Sequence, residues 1–222
     1  MLLTLITFIP LIGAILLLLL PRQYIEFVKW IAFATSLVSL ALCVPLLVLF
    51  PYGKPGFHLS PPLMSWIPTL GIDYRIGVDG LSLILVVLTA LLSSLSILAS
   101  FGSIQKHRKE YYFFMLLLET GMLGTFIALD MFLFFLFWEL MLIPMYFIIG
   151  VWGGKQRIYA SMKFFLYTAF GSALMLLVIF YLYFQVSQAM GGVLSFNLEN
   201  FIALHLDVAT QKWLFVAFVL AF

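Results

Sequence analysis

Charge is what this sequence has least of. Only 9% of its 222 residues are Asp, Glu, Lys or Arg, where soluble domains carry about 25%, and 65% are hydrophobic. That balance excludes a soluble globular domain and makes the chain an integral membrane protein. Cysteine is nearly missing as well. Cys43 stands alone in an apolar run, so no internal disulfide can form, and it reads as a small buried hydrophobe. A net charge of +2, with no basic run longer than the four residues of KHRK (106–109), excludes a nucleic-acid binder. There is no phosphate-cradling glycine loop, metal-ligand spacing or nucleophile–base pair, and His58, His107 and His205 lie far apart in separate links. Pro21, Arg22 and Gln23 follow the first apolar run in place of a small-residue cleavage site, which predicts a retained span instead of a signal peptide.

What the chain does have is long apolar segments. About 20 such residues cross a hydrocarbon core, and six stretches reach that length: 2–20, 30–50, 80–101, 111–129, 130–150 and 161–186. A last apolar run after Lys212 holds ten residues, about half a span, which predicts a seventh helix cut short at Phe222. The fold class expected is an all-α integral membrane protein, a polytopic transmembrane helix bundle of six full spans and a truncated seventh. Two parts are expected, with 1–110 holding helices 1–3 and an outer loop at 51–79, and 111–222 opening a second bundle. Links 1–2, 3–4 and 5–6 carry Arg22, Lys29, Lys106, Arg108, Lys109, Lys155 and Arg157, against Lys54 and Arg75 in link 2–3. Seven against two puts the first set in the cytoplasm and the N-terminus outside.

Ionisable residues inside the spans are the candidate site. Glu139 lies near the middle of DMFLFFLFWELMLIPMYFIIG (130–150), where a carboxylate costs about 2.5 kcal/mol or more on insertion scales. Pro144, five residues on, removes a backbone donor and favours a kink. Glu139 is either an interhelical polar clasp or a proton-handling group. Glu119 sits 11 residues before Asp130 and Glu139 sits 9 after it, giving depths of about 16 and 14 Å at 1.5 Å per residue. Two carboxylates at one depth can share a proton; helix rotation decides whether these two meet. Glu119 is open to both a relay and a hydrogen-bonding role, and Gly121 and Gly124 beside it permit close helix approach. Lys163, about a turn inside the sixth span, either snorkels to the surface or pairs with a carboxylate such as Glu139. Thr168, Gly171 and Ser172 either line a wet cavity or pack. Asp130 reads as a solvated turn former.

Three stretches carry a resemblance: IGVDGLSLILVVLTALL (76–92), ALDMFLFFLFWELMLIPMYFIIGVWGG (128–154) and ASMKFFLYTAFGSALML (160–176). Together they resemble the antiporter-like membrane subunit M of bacterial respiratory complex I, the NADH–quinone oxidoreductase. The resemblance implies about fourteen helices with two inverted repeats, of which this chain would be the N-terminal part, 111–222 opening the antiporter-like proton-translocating bundle. It implies that Glu139 is the fifth-helix glutamate that works with a lysine of a broken seventh helix, here expected shortly after Phe222. It also implies that Lys163 is the lysine that often opens helix six, a possible charge partner, with Glu119 a weaker relay candidate. The expected role is a non-redox membrane subunit of a proton-translocating NADH:quinone oxidoreductase in a bacterial inner membrane. No cofactor is expected in this chain; NADH, FMN, iron–sulfur clusters and quinone would belong to partner subunits. The expected partners are other membrane subunits of complex I, the lipid bilayer and protons. A subunit of a multi-subunit sodium/proton antiporter, a structural assembly subunit and an independent solute carrier remain alternatives.

Overall fold

Apolar length sets the architecture. In the computed structural model, residues 1–21, 24–61 and 64–221 are described; Arg22, Gln23 and Phe222 of the expectations above lie outside them. The long helices are α1 (Leu2–Leu19), α2 (Val28–Leu49), α3 (Gly80–Ser103), α4 (Arg108–Ile127), α5 (Met131–Trp152) and α6 (Arg157–Ala189). A five-residue α7 (Leu198–Ile202) and the 14-residue α8 (Val208–Ala221) follow. Five of the six long helices, all but α4, are long and apolar enough to cross a membrane. The exception opens with Arg108, Lys109 and Glu110 and carries Glu119, so its apolar window is diluted although it has 20 residues. The helix α6 outruns its expected bounds: 33 residues make about 50 Å at 1.5 Å per residue, against a hydrocarbon core of about 30 Å.

Helix starts follow local chemistry. Asp79 caps α3 by accepting from the Ser82 N–H at 2.7 Å, while Ser82 Oγ accepts from the Asp79 N–H at 2.8 Å. Asp130 caps α5 by accepting from the Phe132 and Leu133 N–H groups, each at 3.0 Å. Pro10, Pro45 and Pro144 all lie inside helices that continue past them. Antiparallel α1–α4 form a four-helix core, with α5 packed on α4, α6 on α5 and α8 on α6. Two apolar clusters sit among α1–α4, one centred on Leu3, Leu46 and Leu123, the other on Leu17, Ala32 and Leu116.

The links sort onto two ends. At one end Arg108 pairs with Glu26 at 2.7 Å, Lys109 Nζ donates to the Leu18 and Leu20 carbonyls, and Trp152 Nε1 donates to the Lys106 carbonyl. At the other end stands a hairpin that no local pattern announces. Strands β1 (Met64–Ile67) and β2 (Ile72–Tyr74) pair antiparallel, Met64 with Tyr74 and Ser65 with Asp73. Gly71 turns the hairpin with φ +66°, and a Cβ there would collide with the Leu194 carbonyl. Residues 71–78, 127–131 and 194–198 are then laced by backbone bonds, including Gly77 N–H to Ile127 O at 2.8 Å and Met131 N–H to Phe196 O at 2.8 Å. Arg75 seals that end with a 2.6 Å ion pair to Glu199. Asp130 belongs to this knot and is 1% exposed, which corrects its reading as a solvated turn former. Its second carboxylate oxygen accepts from the Asp73 N–H at 3.1 Å. Burial lifts the Asp130 carboxyl above its ordinary range, against the pull of its three N–H donors.

Candidate functional site

Glycine sets the contact between the two acid-bearing helices. A Cβ on Gly121 would stand 2.6 Å from Met141 Cγ, and one on Gly124 would run into the Phe137 ring. Backbone approach this close fixes which faces of α4 and α5 meet. At about 100° per residue, Gly121 and Gly124 together lie opposite Glu119 on α4, and Phe137 and Met141 lie opposite Glu139 on α5. The two carboxylates therefore share a depth to within about 5 Å but point away from their common interface. They are not brought together.

Glu119 turns into the four-helix core and is 0% exposed. Its Oε1 is 3.0 Å from Ser36 Oγ of α2, which is 2.9 Å from Ser94 Oγ of α3. Ser94 in turn donates to the Ala90 carbonyl at 2.9 Å. Among the described residues Glu119 Oε2 has no hydrogen-bond partner, and neither have the buried hydroxyls of Ser39 and Ser93. Sequence reading missed these serines, because each is a lone small polar residue in an apolar span and serine satisfies itself on its own helix as a rule. Their one signal was pairing: Ser36 and Ser39 lie three apart, and Ser93 and Ser94 are adjacent.

Glu139 is half-buried on the flank of α5 nearest α6, and its Oε1 is buried with no hydrogen-bond partner among the described residues. Pro144 has no amide hydrogen to give the Leu140 carbonyl, which lies one residue along from Glu139. Gly150 approaches Ser161 and the Tyr146 ring meets Phe165 at 5.6 Å, so α5 and α6 run antiparallel with Ser172 level with Glu139. That register puts Lys163 about 13 Å further along the axis. The side chain of Lys163 is exposed, with Nζ 6.0 Å from the Tyr159 ring centre, and it forms no ion pair among the described residues. Thr168 and Ser172 bond back to the Phe164 and Thr168 carbonyls of their own helix, and Gly171 packs against the Ala221 carbonyl of α8. No cluster of three or more His, Cys, Asp or Glu suited to a metal occurs among the described residues.

Known proteins share this frame. The sequence profile of the NADH:quinone oxidoreductase/Mrp antiporter transmembrane family matches residues 128–222. NADH-quinone oxidoreductase subunit M of Escherichia coli (strain K12) is 39% identical over 233 residues, taking in 100% of this chain and 45% of that protein. The protein of the same name from Rhodobacter capsulatus is 40% identical over 216 residues, 96% of this chain and 41% of its own length. The chain thus spans less than half the length of the curated relatives it matches. A chain of respiratory complex I from Thermus thermophilus with bound NADH superposes with a TM-score of 0.80 at 28% identity, over 100% of this chain and 43% of that one. A chain of the Mrp complex from Dietzia sp. superposes with a TM-score of 0.78 at 20% identity, over 99% of this chain and 23% of that one, a likeness of fold. With its helices and its sequence both in register with these proteins, the chain carries the NADH:quinone oxidoreductase/Mrp antiporter transmembrane domain over 128–222 and matches the N-terminal part of NADH-quinone oxidoreductase subunit M proteins.

Proposed function

We propose that this chain serves a proton-translocating membrane subunit of an NADH:quinone oxidoreductase, with Glu139 as the group that takes up and releases the proton. The observation that carries this reading is the buried Oε1 of Glu139, without a hydrogen-bond partner among the described residues, in the middle of a 22-residue apolar helix. A carboxylate at that depth costs free energy, and such residues usually face a protein or water-lined interior and mark ion pathways. Redox energy released in other subunits would alter the field at Glu139 and with it the proton affinity. Lys163 contributes as a charge partner through that field, on the order of 1 kcal/mol at an effective dielectric of about 20, or by contact after α6 shifts. Glu119 serves as an auxiliary relay on the far side of α4. NADH, FMN, iron–sulfur clusters and quinone reside in partner subunits, and this chain contributes no redox group.

The same reading has α4 as a sixth span and 1–110 and 111–222 as the two parts of the chain. It places the subunit in a bacterial inner membrane with the N-terminus outside and the Lys106–Lys109 end in the cytoplasm. The rival is a sodium/proton antiporter subunit, favoured by the fold shared with the Mrp chain. Proton uptake driven by NADH in membrane vesicles, with sodium replaced by potassium, distinguishes them. Uptake that persists without sodium and is lost in Glu139→Gln supports the oxidoreductase reading.

A further inference from the structure

We propose that Glu119, Ser36 and Ser94 form a second buried proton site, in which Glu119 holds a proton as a neutral carboxyl group in this conformation. The inference deepens the relay role given to Glu119 above and does not depend on the role of Glu139. It begins with a count of hydrogens. Three oxygen–oxygen contacts run in series, Glu119 Oε1 to Ser36 Oγ at 3.0 Å, Ser36 Oγ to Ser94 Oγ at 2.9 Å, and Ser94 Oγ to Ala90 O at 2.9 Å. Each link needs one hydrogen. A serine hydroxyl brings one, and a carbonyl brings none. The two serines fill two links, and the third hydrogen is the carboxyl proton. In the filled chain Glu119 donates to Ser36, Ser36 donates to Ser94, and Ser94 donates to the Ala90 carbonyl. An ionised Glu119 leaves one of these close contacts without a hydrogen.

The surroundings agree. Glu119 Oε2 is buried without a donor among the described residues, a cost far heavier for an anionic oxygen than for a neutral carbonyl. No cation faces it. The helices α1 and α3 carry no ionisable side chain, and α2 carries only Lys29 and Cys43. Lys29 sits over the Phe101 ring at 5.5 Å, near the basic end, and Cys43 is the thiol within electrostatic reach of Glu119. On α4 itself, Lys109 is bound to the carbonyls at the end of α1, Arg108 to Glu26, and Tyr112 to Ser100. Glu110, beside Lys109 and Arg108, and Tyr111 sit in the first turns of α4, two or more turns away. Glu139, the one acid of α5, faces the other way.

The filled chain also says what a substitution would do. Glutamine carries an N–H that can donate to Ser36 in place of the carboxyl proton, so Glu119→Gln imitates the protonated state. The test is infrared difference spectroscopy on the intact membrane complex, comparing wild type, Glu119→Gln, Ser36→Ala and Glu139→Gln at neutral pH. We expect a neutral-carboxyl C=O stretch that disappears in Glu119→Gln, shifts in frequency in Ser36→Ala and persists in Glu139→Gln. Spectra of wild type and Glu119→Gln without a carboxyl difference would show an ionised Glu119 and overturn the proposal. Where Glu119→Gln fails to assemble, Ser36→Ala decides, since it keeps the carboxyl; an unshifted stretch overturns the chain. Loss of the stretch when sodium chloride replaces potassium chloride would make this a sodium site, and overturns the proposal as well. Pumping lost in Glu139→Gln with the Glu119 stretch intact, or the reverse, separates the two sites.

Discussion

Glu119 and Glu139 lie within about 5 Å of the same depth on adjoining helices and face in opposite directions, because the glycine face of α4 and the Phe137–Met141 face of α5 occupy the interface between them. A shared proton between these two acids is therefore not available in this conformation. Each has its own surroundings: hydroxyls of α2 and α3 for Glu119, and the α6 flank for Glu139. Any proton passing from one to the other must cross the α4–α5 contact.

That contact should be intolerant of added volume. In Gly124→Ala the new methyl would run into the Phe137 ring, so helix α5 or the ring must give way. Overpacking of this kind costs about 1–3 kcal/mol. We expect a lower unfolding temperature of the detergent-solubilised complex and reduced assembly on native electrophoresis, whereas Gly102→Ala, with open space around it, should behave as wild type.

The α3 cap gives a pH dependence with a definite sign. The Ser82 N–H, first among several donors, holds the Asp79 carboxyl below its ordinary 3.8. A depressed carboxyl stabilises the fold above the unfolded value, and that contribution fades as pH falls through the folded one. In Asp79→Asn, which still accepts at the cap, unfolding temperature should therefore fall less than in wild type between pH 5 and pH 3, a window on the order of the shift about the ordinary aspartate value. Thermal unfolding followed across that range checks it. Asp79→Ala should lose about 1 kcal/mol at neutral pH.

The sorting of links onto two ends makes the topology testable. Gln105 and Ser60 are both exposed and lie at opposite ends of the bundle. Single cysteines at these positions, in a Cys43→Ser background, should label from outside intact cells at 60 and not at 105. The reverse pattern would invert the orientation.

Much of this fold was legible in the sequence because membranes impose one simple demand, an apolar run of sufficient length. The bounds of α2, α3 and α5 fall within two residues of the apolar runs, and Gly121 and Gly124 announced the close approach of α4 and α5. The hairpin was not legible. Its strands are four and three residues long, and they are held by 127–131 and 194–198, segments distant in sequence. Asp130 was misread for the same reason: its burial comes from Asp73 and from the backbone around Asn197, which no local pattern displays. The two glutamates stood out as charges in apolar helices, but where they point depends on helix rotation, and that is set by packing.

NADH-driven proton uptake in membrane vesicles bearing Glu139→Gln, with assembly verified by native electrophoresis, decides whether Glu139 carries the proton. Glutamine keeps the shape and much of the hydrogen-bonding capacity of glutamate but cannot titrate. The carrier role predicts an assembled complex whose uptake is strongly reduced, with partial activity restored by Glu139→Asp and a milder loss in Glu119→Gln. Wild-type uptake by a fully assembled Glu139→Gln complex would contradict it.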